Sequence, residues 1–168
     1  VTPAQLARAV GIVATGKAPN LHLVLAESPD PPEQSFLGIP DFSQGNLDLI
    51  RDAMWSSVNE DGTGQAARVA GFDVAGKTGT AQTISLETRQ SLSDEEAERF
   101  ESNAWFVGFA PRNDPEIIVA VMMQRGGSGG SGAAPIAREI LGVYHEQHNK
   151  VQPDGMELAF QIKGKQRM

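Results

Sequence analysis

The spacing of apolar residues changes several times along this chain, and each change marks an element. Thr2-Pro3-Ala4-Gln5 predicts a helix start: Thr2 is the N-cap, Pro3 takes the first helical position, where its missing N–H costs nothing, and Gln5 reaches back as in a capping box. Leu6, Ala9, Val10 and Val13 then fall on one helical face, and Gly16 is the stop. Residues 21–25 alternate enough for a short strand before the proline-rich loop Ser28-Pro29-Asp30-Pro31-Pro32, which continues to Gly45. A second helix is predicted from a cap at Asn46, with Asp48 in its first turn and Leu47, Ile50, Met54 and Val58 as a core-facing stripe. The polar, glycine-containing run from Asn59 to Gly64 breaks it.

The period then shortens. Residues 74–83 are β-branched or small, and 104–111 and 116–124 are stronger strand runs. The turn Arg112-Asn113-Asp114-Pro115 is short, so the last two should form an antiparallel hairpin. The excursion 84–103 carries a second capping box, Ser93-Asp94-Glu95-Glu96, and an acidic helix to Glu101 whose wet face is Asp94, Glu95, Glu96, Glu98 and Glu101. An excursion that long between paired strands is usually functional or mobile. The run 126–132, five glycines and two serines, reads either as a linker or as a loop framing a cleft. It leads into a helix with Pro135 in its first turn and Ile136, Ile140 and Val143 on one side. The expected fold class is α+β, an antiparallel sheet with helices packed on its faces. Residues 1–145 form the body and 146–168 a polar tail.

With 168 residues and 40% hydrophobic content, one core is affordable and a second is not required. Fourteen Lys+Arg against 21 Asp+Glu give a net charge of -7, which argues against a phosphate backbone as partner, since nucleic acid needs a basic footprint. Apolar runs are strand-sized, and zero cysteines exclude a disulfide framework and a thiolate zinc site without fixing a compartment. The chain opens directly at a helix start, which suggests a piece of something longer. His145 and His148 have helical spacing but no evident third ligand, so a solvated tail is the better reading and no metal is expected.

Chemistry concentrates at residues 71–83, Gly-Phe-Asp-Val-Ala-Gly-Lys-Thr-Gly-Thr-Ala-Gln-Thr. An ammonium, three hydroxyls and closely approachable amides stand together there, the equipment of an anion and oxyanion site. Two other readings compete. Gly71 to Thr78 satisfies the P-loop formula, but that loop must open a helix, and Gly79-Thr80-Ala81-Gln82-Thr83 is poor helix material. Alternatively, this is an ordinary edge strand, with Lys77 as a solvated gatekeeper. As a strand, it would direct Lys77, Gly79 and Ala81 to one face and Thr78, Thr80 and Gln82 to the other. One of Trp105 and Phe106 could face a cleft, but both read most simply as aromatic filling of a half-buried strand.

Four ordered blocks carry a resemblance: Thr2-Pro3-Ala4-Gln5-Leu6-Ala7-Arg8-Ala9, Ala75-Gly76-Lys77-Thr78-Gly79-Thr80-Ala81-Gln82, Ala104-Trp105-Phe106-Val107-Gly108-Phe109-Ala110-Pro111, and the glycines before Ala133-Ala134-Pro135-Ile136-Ala137. In order and spacing, residues 1–145 resemble the C-terminal part of the class B penicillin-binding proteins, most closely their cell-elongation branch. The Lys-Thr-Gly box belongs to a set that also includes a Ser-x-x-Lys nucleophile, and no Ser-x-x-Lys occurs in these 168 residues. Half of an acyl-transfer site is therefore expected, inactive alone. By resemblance, Lys77 organises proton transfer, and Thr78 and Thr80 bind the substrate carboxylate, with Gly79 and Ala81 lining the substrate. The Thr80 N–H supplies half of the oxyanion hole.

The family's second box, Ser-x-Asn, is matched in letters by Ser57-Val58-Asn59, but it falls after the Thr-Pro-Ala-Gln helix instead of before it. Core packing of Val58 and a helix stop at Asn59 explain those letters better. Where the family commonly has His, this chain has Asn103. The resemblance implies a peptidoglycan D,D-transpeptidase that acts on D-alanyl-D-alanine stem peptides through an acyl-serine and binds β-lactams. It implies no cofactor or metal, an anchor in the cytoplasmic membrane with catalysis outside it, and two partners: the upstream half of the same protein and a membrane glycan polymerase. A β-lactam sensor or non-catalytic module of the same fold is the alternative.

Overall fold

The computed structural model describes residues 1–18, 42–93, 95, 96 and 100–150. The strand and proline-rich loop expected at 21–32 lie outside them. Helix α1, Pro3–Thr15, begins as its letters dictate: Thr2 Oγ1 accepts from the Gln5 amide at 3.2 Å, and Gln5 Oε1 accepts from the Thr2 amide at 2.9 Å. Gly16, at φ 73°, ends it in the left-handed conformation that glycine adopts without strain. The buried face is Val10, Gly11 and Ala14, flanked by Leu6 and Val13, while Ala9 is exposed. A methyl group contributes little to burial, so the larger neighbours set the helix rotation.

Helix α2, Gln44–Asn59, is capped by Ser43, whose Oγ accepts from the Asn46 amide, so the expected cap at Asn46 is three residues late. The earlier start carries Asp48 past the first turn, where it pairs with Arg51 at 2.8 Å instead of meeting the helix N-terminus. Leu47, Met54 and Val58 are buried as expected; Ile50 is not, at 44% exposure. At the other end Asn59 Nδ2 donates to the carbonyls of Trp55 (3.0 Å) and Val74 (2.8 Å), a helix stop that also ties α2 to the approach of the first strand.

Strands β1 (Ala75–Ala81), β2 (Asn103–Ala110) and β3 (Ile117–Met123) form an antiparallel sheet in the order β1-β2-β3, with Lys77 opposite Val107 and Gly79 opposite Trp105. β2 and β3 are the expected hairpin. Among the described residues, the outer edges of β1 and β3 have no strand partner. The excursion between β1 and β2 includes a short helix not foreseen from sequence, α3 (Leu86–Gln90), capped by Ser85. The Ser93 box forms: the Ser93 hydroxyl and amide both donate to Glu96 and hold its carboxyl below the usual range. The rest of the acidic helix lies largely outside the described residues.

Each sheet face has its own core. Val10, Ala14 and Met54 pack with Ala75, Val107 and Phe109 on one side. On the other, Phe106, Ala104 and Val119 pack with Val58, Val74 and the last helix, α4 (Ala134–Lys150). A single π-helical turn, Gly129–Ala133, feeds α4. Ile136, Ile140 and Val143 do share one side of α4, but it is the exposed one; Ala134, Ala137 and Leu141 face the sheet. Ala134 and Ala137 let the start of the helix approach the strands closely, which isoleucines there would not, while Leu141 is buried further along. The helix runs to Lys150, past the boundary at 145 read from the sequence, and residues 151–168 lie outside the described set. His145 stacks on Phe72 and His148 on Tyr144, at 4.5 and 3.9 Å between ring centroids. Among the described residues no helix is long and apolar enough to cross a membrane.

Candidate active site

Residues 75–81 are extended, which removes the P-loop reading: a strand follows Gly76, where that chemistry needs a helix starting at Thr78. The expected alternation holds. Lys77 and Gly79 line a groove of about 330 Å³ together with Val1, Leu6, Thr78, Trp105 and Val107. The Thr78 and Thr80 hydroxyls meet other partners. Thr78 Oγ1 lies 2.6 Å from Thr63 Oγ1, and Thr80 Oγ1 accepts from the Gly129 amide at 3.4 Å.

Strand alternation thus separates the lysine from the hydroxyls, and the open edge of β1 rejoins them. Lys77 Nζ folds over that edge to donate to the Thr78 carbonyl at 2.8 Å and reaches within 3.5 Å of Thr78 Oγ1. The ammonium, Thr78 and Thr80 are therefore next to one another along a strand edge that is free, among the described residues, to meet a ligand. Ala81, the last residue of β1, is exposed. Gly79 is closely covered from one side, where a Cβ on Gly129 would lie 2.5 Å from its carbonyl oxygen and 2.8 Å from its nitrogen.

The two neighbouring aromatics divide by the same alternation. Phe106 is fully buried, as core filling predicts, whereas Trp105 is only half-buried and forms a wall of the groove, the alternative in which one of the two faces the cleft. Asn103, where the resembled family has His, uses its Oδ1 to accept from the Arg125 amide at 3.0 Å, closing the turn after β3. Ser57-Val58-Asn59 is structural, as its position in the order suggested: Val58 is fully buried and Asn59 stops α2.

One feature of the site was missed from sequence, and another was read with two alternatives. Thr63 touches Thr78 from a loop 15 residues away, and no local pattern signals such a contact. The glycine run is not a slack linker but a packed turn against β1 and β2. A Cβ on Gly129 would stand 2.3 Å from the Trp105 carbonyl oxygen, and one on Gly132 2.4 Å from that of Gly126.

Residues 1–142 match the family described as penicillin binding protein transpeptidase domain. The chain is 34% identical over 156 residues to the peptidoglycan D,D-transpeptidase MrdA of Haemophilus influenzae, covering 87% of this chain and 24% of that protein. It spans about a quarter of the length of the curated relatives it matches. Among solved structures it is similar to Pseudomonas aeruginosa PBP2 in complex with WCK 5153, with TM-score 0.66 and 30% identity over 86% of this chain and 29% of that one. The apo transpeptidase domain of Burkholderia pseudomallei penicillin-binding protein 3 gives TM-score 0.68 and 28% identity, over 93% and 45%. With the fold and the sequence match in agreement, the chain belongs to the penicillin-binding protein transpeptidase domain family.

Proposed function

We propose that this chain supplies one wall of a serine D,D-transpeptidase active site, of the PBP2 type, and that the nucleophile comes from polypeptide upstream of it. The observation that carries the reading is the outer edge of β1, which has no strand partner among the described residues and where the Lys77 ammonium bridges to Thr78 beside a groove largely walled by apolar side chains. In an antiparallel ladder, alternate residues turn both backbone groups toward or away from the partner strand. The closeness of a Cβ on Gly129 to Gly79 N, Gly79 O and Trp105 O supports Gly79 and Trp105 as the mutually bonded pair. Thr78 and Thr80 then turn their backbone outward, and the Thr80 N–H is available to an oxyanion.

The chemistry follows from that placement. A serine oxygen attacks the carbonyl between the two D-alanines, and the oxygen of that carbonyl becomes an anion stabilised by fixed donors, often the largest catalytic contribution. Lys77 holds positive charge where that anion forms and where a proton must leave the serine. Thr78 and Thr80 hydroxyls donate to the terminal carboxylate of the stem peptide or of a β-lactam. Collapse expels D-alanine and leaves an acyl-serine, which an amine on a neighbouring strand then resolves. Among the described residues the outer edge of β3 has no strand partner, which supports completion of the sheet by a strand from the upstream polypeptide, because an uncovered edge of seven residues is a template for pairing. Membrane anchoring, catalysis on its outer side and work beside a glycan polymerase belong to this same reading.

Labelling with a fluorescent penicillin tests it. The full-length protein should form a covalent adduct that survives denaturing gel electrophoresis, and the 168-residue chain alone should form none. A covalent adduct on the isolated chain, or none on the full-length protein, would overturn the proposal.

A further inference from the structure

Thr63 stands outside every motif in this chain, yet its hydroxyl makes the shortest hydroxyl contact at the site, 2.6 Å to Thr78 Oγ1. Its backbone is held on two sides. The Gly64 amide donates to the Ser57 carbonyl at 2.9 Å, and a Cβ on Gly62 would fall 2.4 Å from Ser57 Cα, so the loop is pressed onto the end of α2. From the opposite direction the glycine-rich turn closes on it: a Cβ on Gly130 would stand 2.8 Å from the Thr63 carbonyl oxygen. The pinned backbone sets the exposed Thr63 side chain beside Thr78, within hydrogen-bond reach of its hydroxyl.

The count of protons decides what the contact does. Each threonine hydroxyl has a single proton and accepting lone pairs, Lys77 is a donor only, and a carboxylate is an acceptor only. Thr78 can hold an anionic ligand only by giving it that proton, and in this state the hydrogen between Thr63 and Thr78 must belong to Thr63. Were the 2.6 Å bond donated the other way, Thr78 would present an oxygen lone pair to the ligand and repel it. We infer that Thr63 is a positioning residue for the anionic end of the substrate: it donates to Thr78 Oγ1 and so commits the Thr78 proton to the ligand carboxylate. A donor bonded behind in this manner is also polarised into a stronger one. The inference rests on the half-site reading above, which assigns Thr78 to the carboxylate.

The experiment uses full-length protein and compares second-order acylation rates for benzylpenicillin, whose carboxylate is charged, and its methyl ester, whose carboxyl is not. Thr63→Val should lower the benzylpenicillin rate about five- to tenfold, as expected for weakening one hydrogen bond to a charged group, and leave the ester rate within about twofold. Thr63→Ser, which keeps the donor, should restore the wild-type ratio of the two rates. Thr63→Ala serves the same purpose should the valine disturb folding, and its ratio should fall as that of valine does. Equal losses for both ligands, or an unchanged ratio in both Val and Ala variants, would assign Thr63 to loop packing and overturn the inference alone. Failure of the wild-type protein to be acylated by either ligand overturns the half-site reading, and the inference with it.

Discussion

Lys77→Ala in the full-length protein is expected to slow acylation by benzylpenicillin by about 10³-fold, the scale on which single preorganised electrostatic or acid-base groups act. Its thermal midpoint should hardly move. Both halves follow from how the side chain is held. Lys77 is exposed, and its described contacts are the Thr78 carbonyl and hydroxyl, so removing it orphans no buried group. Among the described residues no carboxylate pairs with it. Surface substitutions of that kind shift stability by about 0.5 kcal/mol or less. Lys77→Arg should not rescue the rate: a guanidinium keeps the charge but cannot release a proton, and its planar fork presents its donors in a different geometry from a compact ammonium. A modest loss of rate, or a loss matched by unfolding, would return Lys77 to the role of a solvated edge residue. That comparison of rate with stability is what separates a working lysine from a gatekeeper.

How far the sequence revealed this site depended on how local each interaction is. The limits of helix α1 were legible, though not its whole buried face, because its cap, its proline and its stop each act through local geometry, with cap hydrogen bonds that span three or four residues. The three strands and their antiparallel pairing were legible because runs of β-branched residues and a four-residue turn leave few alternatives. Helix positions that depend on tertiary partners were not. Ser43 and Asn46 are both competent caps, and nothing in the letters says that the helix takes the first. On α4 two faces carry apolar residues, and hydrophobicity favours Ile136, Ile140 and Val143 for the interior; the sheet instead receives Ala134, Ala137 and Leu141, a face whose two alanines let the helix approach closely while one leucine fills the core. The same distinction governs the site. Lys77, Thr78 and Thr80 stand within four residues and are read together, whereas Thr63 reaches Thr78 across 15 positions with no local signature, and Gly129 reaches Thr80 across 49 from a glycine run whose letters could not choose between a linker and a loop framing a cleft.

Gly129→Ala should destabilise the protein more than any alteration of the exposed site residues, by roughly 3 kcal/mol, in the upper range for overpacking. For a domain of this size that corresponds to a fall in thermal midpoint of roughly 6 to 12 °C. The added Cβ would meet three backbone atoms, Trp105 O at 2.3 Å, Gly79 O at 2.5 Å and Gly79 N at 2.8 Å, and backbone cannot swing aside as a flexible side chain can. Relief requires the turn 129–133 to lift off the sheet or β1 to move relative to β2, and either displaces Thr80, whose hydroxyl accepts from the Gly129 amide. Acylation should therefore fall together with stability, in contrast to the Lys77 result. Gly142→Ala is the internal control: it lies inside α4 with nothing within 4 Å of the new methyl group, and alanine in a helix interior is worth about 0.5 to 1 kcal/mol over glycine, so its midpoint should rise. If Gly129→Ala melts with the wild type while Gly142→Ala behaves as expected, the run 126–132 is a slack connection after all, and the packed turn beneath Thr80 has no energetic meaning.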